Sequence, residues 1–166
     1  IHMAANDHDS LFLGIEVHDP GIGRCLNNIH KLQLSNLRLI RHDAIEVLEQ
    51  MIDVSSLDRI LLFFPDPWHK KRHHKRRIVQ PAFAALVIHL ALKPGATIHI
   101  ATDWQDYAES IAEQFLGDER FVNQGDAEGH VEPPDYRPKT RFEQRGLRLG
   151  HGVWDLMFTK AVGEAS

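Results

Sequence analysis

Four carboxylates stand where apolar runs of strand length give out: Glu16, Asp43, Asp66 and Asp103. In a doubly wound α/β sheet, ligands bind beyond the carboxyl ends of the strands, so acids at successive ends can serve one ligand. An acid at the end of a second strand can accept hydrogen bonds from ribose hydroxyls, and Asp43, at the next strand end, could meet an adenine amino group. Singly, each acid also suits a turn or a helix cap; repetition at successive ends favours a shared task. Asp66 is the most constrained, because Pro67 disfavours helical dihedrals at Asp66 and Pro65 fixes its own φ and removes a donor. A plain strand-ending turn would explain the prolines but not the tryptophan and the cations directly after them.

Trp68 opens that segment and a cationic run completes it, so that Phe63 to Arg77 reads "FFPDPWHKKRHHKRR". Lys70 to Arg77 holds six Lys and Arg in a chain of net charge −4, which makes the positive patch local. A solvated surface is the ordinary reading of such a cluster. His69, His73 and His74 also permit a metal site, but no cysteine or carboxylate is interleaved and the adjacent cations oppose another; no metal is expected. Phosphates are the natural counterpart: neutralising about six of them gives a log affinity against log salt slope of roughly −4 for single-stranded contacts. Trp68 beside the patch offers a surface for base stacking, and RNA is the leading partner.

These residues need a scaffold, and the chain supplies an alternation of strand-like and helix-like segments, the pattern of an α/β fold. Strands are predicted at Leu11 to Val17, Leu37 to Ile40, Ile60 to Phe64 and Thr97 to Thr102, the continuous apolar run Ile60 to Phe64 suiting a doubly buried strand of a parallel sheet. Helices are predicted from Pro20 to about Leu32, from Ala44 to Met51, and through Val79, Phe83, Val87 and Leu90, with "LKPG" at Leu92 to Gly95 as a stop. Asp103 is expected to cap a helix whose Trp104, Tyr107, Ile111 and Phe115 form a buried stripe. Asn123 to Gly146, broken by Pro133, Pro134 and Pro138, reads as a long functional loop. Val153 to Lys160 reads as a last strand, antiparallel and near an edge.

With 166 residues and 43% hydrophobic content, a single domain over residues 1–166 is expected. One cysteine, Cys25, excludes an intramolecular disulfide framework and favours a reducing compartment. No apolar run reaches the length of a membrane span, and "IHMAANDHDS" lacks the features of a signal peptide, so a cytoplasmic protein is expected. Nothing in the surface pattern specifies an oligomer, and a monomer is expected over a homodimer.

Together, "LGIEVHDPG", "LSNLRLIRHDA", "FFPDPWHKKRHHKRR", "ATDW", "TRFEQRG" and "LGHGVWDL" resemble the bacterial tRNA (guanine-N7)-methyltransferase family over nearly the whole chain. The long proline-bracketed motif is the specific one. The resemblance implies a Rossmann-like fold with a mostly parallel doubly wound sheet and an antiparallel last strand. It further implies a methyl transfer from S-adenosylmethionine to guanine 46 of the tRNA variable loop. Glu16 and Asp43 then look like cofactor ligands, and Asp66 like the catalytic residue shared between cofactor and guanine. Lys70, Asp103, Thr140, Arg141, Phe142 and Glu143 look like substrate contacts; Trp68, with its stacking surface, adjoins Arg72, His73, His74, Lys75, Arg76 and Arg77, which look like the tRNA-binding stretch. Family members carry a first strand and glycine-rich turn upstream of Ile1 to Ala5, so the chain is expected to be incomplete at its N-terminus. A catalytically inactive RNA-binding module and a methyltransferase of another RNA remain the alternatives.

Overall fold

A computed structural model describes residues 1–139, 143 and 152–162. The chain packs as two compact units, one of residues 1–51 with 135–138 and one of residues 52–134 with 139–166.

In the first unit, α1 (His2–Asn6), β1 (Phe12–Glu16), α2 (Asp19–Leu32), β2 (Leu37–Arg41) and α3 (Ala44–Gln50) come in that order. The strands pair in parallel, Phe12 opposite Leu37 through Glu16 opposite Arg41, which aligns their carboxyl ends. α2 begins with Pro20 in its first turn, where a missing N–H costs nothing, and ends at Gln33 in the left-handed region. Asn36 is buried just before β2, its amide nitrogen 2.7 to 3.1 Å from the carbonyl oxygens of Ala4, Asp7 and Ser10. It thereby ties α1 and the adjoining loop to a small core of Ala4, Leu34 and Leu37.

The second unit is built on a sheet ordered β3-β4-β7-β5 with β6 also on β7. Its strands are β3 (Leu57–Phe63), β4 (Leu92–Thr102), β5 (Phe121–Asn123), β6 (His130–Val131) and β7 (Trp154–Lys160). β3 and β4 are parallel; β7 runs antiparallel to β4, β5 and β6. Helix α4 (Pro81–Leu86) passes into a wider π-helical turn, Val87–Ala91, and α5 (Gln105–Leu116) comes after β4. Ile98, Ile100, Tyr107, Ile111, Leu156 and Phe158 are fully buried, and Phe115 stacks on Phe158 at 4.9 Å. This core fixes the ends of β3 and β4, from which Asp66 and Asp103 project.

The helical segment stops at Ala91, directly before Leu92 to Gly95 as expected, and the chain passes straight into β4: Leu92 pairs with Leu57, and Gly95, at φ 78°, accommodates the strand's irregular start. β7 is antiparallel and near an edge, as expected, with only the short β5 and the two-residue β6, both reaching into the predicted loop, on its outer side. The mixed α/β fold is the one expected: among the described residues β1 pairs in parallel with β2 and β3 in parallel with β4, and β7 is the antiparallel last strand. No described helix is long and apolar enough to cross a membrane.

Candidate active site and basic loop

The carboxylates at the ends of β1 and β2 are held by their own backbone. Glu16 accepts from the Val17 and His18 N–H groups at 2.8 and 2.9 Å, through the same oxygen. Asp43 caps α3, its Oδ1 accepting from Ile45 at 2.8 Å and Glu46 at 3.2 Å. The cap reading and the ligand reading of Asp43 are therefore compatible, since one oxygen serves the helix. The second oxygen of each acid has no partner among the described residues. An open hollow of about 340 Å³ is lined by Val17, Arg41, His42 and Asp43. Asp43 at the hollow, and Glu16 fixed one residue before Val17 of its lining, are acceptors of the kind that suits the hydroxyl and amino donors of an adenosine-bearing cofactor.

In the second unit, β3 and β4 continue their pairing past Phe63, with the Phe64 N–H donating to Ala101 O at 2.7 Å. Phe64 and Trp68 then adopt φ of 52° and 46°, bracketing Pro65, Asp66 and Pro67 with two left-handed residues that are not glycine. Each such position costs about 1 kcal/mol or more, a strain that clusters at functional sites. Asp66 itself is exposed, and its Oδ1 accepts from the Trp68 N–H at 3.1 Å.

Beyond this turn, Lys71–Arg76 forms a 3-10 helix, with Lys70 exposed at its start. Lys71, Arg72, Lys75 and Arg76 are exposed, whereas His73 and His74 are half-buried. Trp68 is less open than expected: it is half-buried, with the Arg76 guanidinium 4.9 Å from its ring centroid and His73 edge-on at 5.9 Å. Arg77 departs from the expectation altogether. It is 4% exposed, donates from Nε to Pro67 O at 2.8 Å and from Nη2 to Asp106 at 2.5 Å, and lies over the Tyr107 ring at 4.6 Å. This guanidinium hydrogen bond, with help from its charge, lowers the Asp106 pKa below its usual value of 3.8. Burial raises that of Tyr107, whose hydroxyl accepts from the Val79 N–H at 3.2 Å.

Asp103 does not cap α5. Trp104 occupies that position, its N–H donating to Thr102 Oγ1 at 3.3 Å. Trp104 also leaves the predicted buried stripe and is 37% exposed, in contact with His69 at 4.2 Å between ring centroids. Glu143 is buried; Thr140, Arg141 and Phe142 lie outside the described residues. No group of metal-ligating side chains occurs among the described residues.

One polar pair escaped the sequence reading. His99 and Asp155, on adjacent strands, are buried with Nε2 2.7 Å from Oδ1, and Phe63 packs edge-on to the His99 ring at 4.9 Å. The signal was a histidine at an inward position of "TIHIAT" and an aspartate at one of "VWDLMF", unusual within apolar strands.

Residues 1–156 match the family model described as "Putative methyltransferase". The chain is 57% identical over 158 residues to a "tRNA (guanine-N(7)-)-methyltransferase" of Paraburkholderia xenovorans, covering 95% of this chain and 60% of that protein. It is 55% identical over 160 residues to one of Shewanella amazonensis, covering 96% of this chain and 67% of that protein. The chain thus spans about two thirds or less of the length of these curated relatives. Among solved structures it is similar to a SAM-dependent O-methyltransferase of Thermotoga maritima, with TM-score 0.58, 14% identity and coverage of 98% and 55%. It is also similar to an rRNA methylase of Streptococcus thermophilus, with TM-score 0.56, 14% identity and coverage of 96% and 93%. These likenesses carry the Rossmann-like α/β fold.

Proposed function

This chain belongs to the tRNA (guanine-N(7)-)-methyltransferase family, and from that membership we propose that it methylates guanine N7 in tRNA with S-adenosylmethionine as donor. Guanine 46 of the variable loop is the target the resemblance implies, and the cytoplasm the compartment. The observation that carries the reading is Asp66, a carboxylate held in a strained, proline-bracketed turn directly before an exposed cationic helix.

The donor supplies an electrophilic methyl on a sulfonium, whose C–S bond breaks as the bond to N7 forms, leaving the electron pair on sulfur and positive charge on the purine. Guanine N7 has a free lone pair, so no residue needs to remove a proton first. Glu16 and Asp43 serve the donor's hydroxyl and amino groups. Asp66, assisted by Asp103, accepts from the N1 and N2 donors of the guanine edge and faces the charge that develops there; a prepositioned acceptor needs no reorganisation at the transition state. Lys71, Arg72, Lys75 and Arg76 meet phosphates, and Lys70 serves the substrate, the role that the resemblance also implies for Glu143. Arg77 holds the loop in place.

The test is transfer of labelled methyl groups from S-adenosylmethionine into unmodified tRNA, with the modified base identified chemically. N7-methylguanine in the variable loop is the expected product. Salt-sensitive tRNA binding with no methyl incorporated would favour the binding-module reading instead.

A further inference from the structure

The second unit has an open depression of about 550 Å³ at the carboxyl end of β4 and the start of β7, whose lining includes Trp104, Trp154, Asp103, Asp106 and Glu109. Its carboxylates are not equivalent. Asp106 is engaged by Arg77, and Glu109 accepts from the Gln105 amide at 2.9 Å. Asp103 has no partner among the described residues. Both indoles are held in place: His69 packs on Trp104, and a Cβ on Gly152 would come within 2.7 Å of the Trp154 ring, so only a glycine backbone fits against it.

With Asp106 already paired to Arg77, the carboxylates of Asp103 and Glu109 leave the depression net negative and disfavour an anionic ring there. Two indoles favour a flat ring, and an indole face attracts a ring that bears positive charge more than a neutral one of the same shape. A free carboxylate at the rim adds Coulomb attraction and an acceptor for ring N–H donors. Flat, cationic and carrying N–H donors is the description of a purine after, and in part during, methylation at N7.

We infer that Trp104 and Trp154, with Asp103, form the binding site for the guanine ring in its N7-methylated, positively charged form. This rests on the methyl-transfer reading above and adds to it the residues that distinguish the charged ring from the neutral one. Because the charge appears only as the new bond forms, the two indoles stabilise the transition state more than the bound substrate. Trp68, half-buried under Arg76, is outside this site.

The experiment is a tryptophan fluorescence titration of the 166-residue chain carrying Trp68→Phe, with 7-methylguanosine monophosphate and with GMP. The buffer is acidic enough to keep the N1 proton on the methylated base. The methylated nucleotide is expected to quench more and to bind roughly tenfold more tightly. Trp104→Leu and Trp154→Leu should each reduce that preference, and Trp104→Phe should restore most of it while leaving the fold, followed by circular dichroism, unchanged. Equal affinities for the two nucleotides, no binding of either, or a preference untouched by both Leu substitutions would overturn the inference. Methyl transfer to tRNA is measured in parallel. N7-methylguanine formation with no nucleotide preference defeats the site and leaves the activity standing; a preference that depends on both indoles with no methyl transfer defeats the activity and leaves the site.

Discussion

Arg77 and Asp106 are joined by a 2.5 Å contact between Nη2 and Oδ2, which fastens the end of the cationic loop to the first turn of α5. The same guanidinium holds Pro67 O, next to Asp66, so one buried side chain spans the turn that presents the carboxylate and the helix that begins beside Asp103. Six Lys and Arg fall within Lys70 to Arg77, yet this one is directed inward.

Arg76→Ala and Arg77→Ala should therefore behave differently. Arg76 is exposed, and its loss should weaken tRNA binding and reduce the magnitude of the log–log salt slope by about 0.7 for the phosphate it neutralises. Arg77→Ala should leave that slope unchanged, lower stability by about 2 kcal/mol through lost charged hydrogen bonds, and reduce kcat. Binding titrations at several salt concentrations, with urea melts, separate the two; a flattened slope for Arg77→Ala would return it to the RNA surface.

Asp66→Asn keeps the shape and the Asx-type acceptance from Trp68 but removes the negative charge that opposes the charge developing on the purine. Methyl transfer should slow by about a hundredfold or more, the scale of a lost electrostatic stabiliser, with tRNA affinity nearly intact. Single-turnover rates and a binding isotherm on one preparation test this, and full activity in the Asn variant would remove Asp66 from the chemistry.

Tyr107 links the loop to α5 from beneath. Its hydroxyl is the acceptor for Val79 N–H, so Tyr107→Phe strands a buried donor and should cost about 1–2 kcal/mol. The raised pKa has a defined sign: the folded state favours the neutral phenol, so that contribution is present below the unfolded value of 10.0 and lost as pH rises through the folded value. Asp106 acts at the other end, its lowered pKa contributing above about 3.8 and fading as pH falls below that, weakly because the carboxylate is largely exposed. Urea denaturation of the wild type should show an alkaline loss that is smaller in Tyr107→Phe.

The parts of the fold readable from sequence were those whose signal is local. Ile60 to Phe63 is a continuous apolar run, Leu37, Leu39 and Ile40 make a strand-length apolar stretch, and Tyr107, Ile111 and Phe115 recur at helical spacing; each element is found where that pattern puts it. Asp66 between prolines was legible because proline acts on its own neighbours. What the chain hid depends on partners distant in sequence. Arg77 looks like Arg76 until Asp106, 29 residues on, is beside it. Trp104 has the spacing of a core residue, but the turn into α5 directs it outward. β6 is two residues long and exists because β7 is there to pair with it.

The pair His99 and Asp155 is of the same kind, and its energetics are asymmetric. Both side chains are buried on adjacent antiparallel strands, with Nε2 and Oδ1 2.7 Å apart. Removing one partner leaves the other desolvated without its closest neighbour, whereas replacing both with apolar groups removes the desolvation cost as well as the attraction. His99→Leu and Asp155→Leu should each destabilise the chain by about 3 kcal/mol or more. The double Leu variant should lose clearly less than the sum, giving a coupling energy of about 1–3 kcal/mol in a double-mutant cycle from urea melts. Additive losses would mean that the two side chains are held by their other neighbours and not by each other.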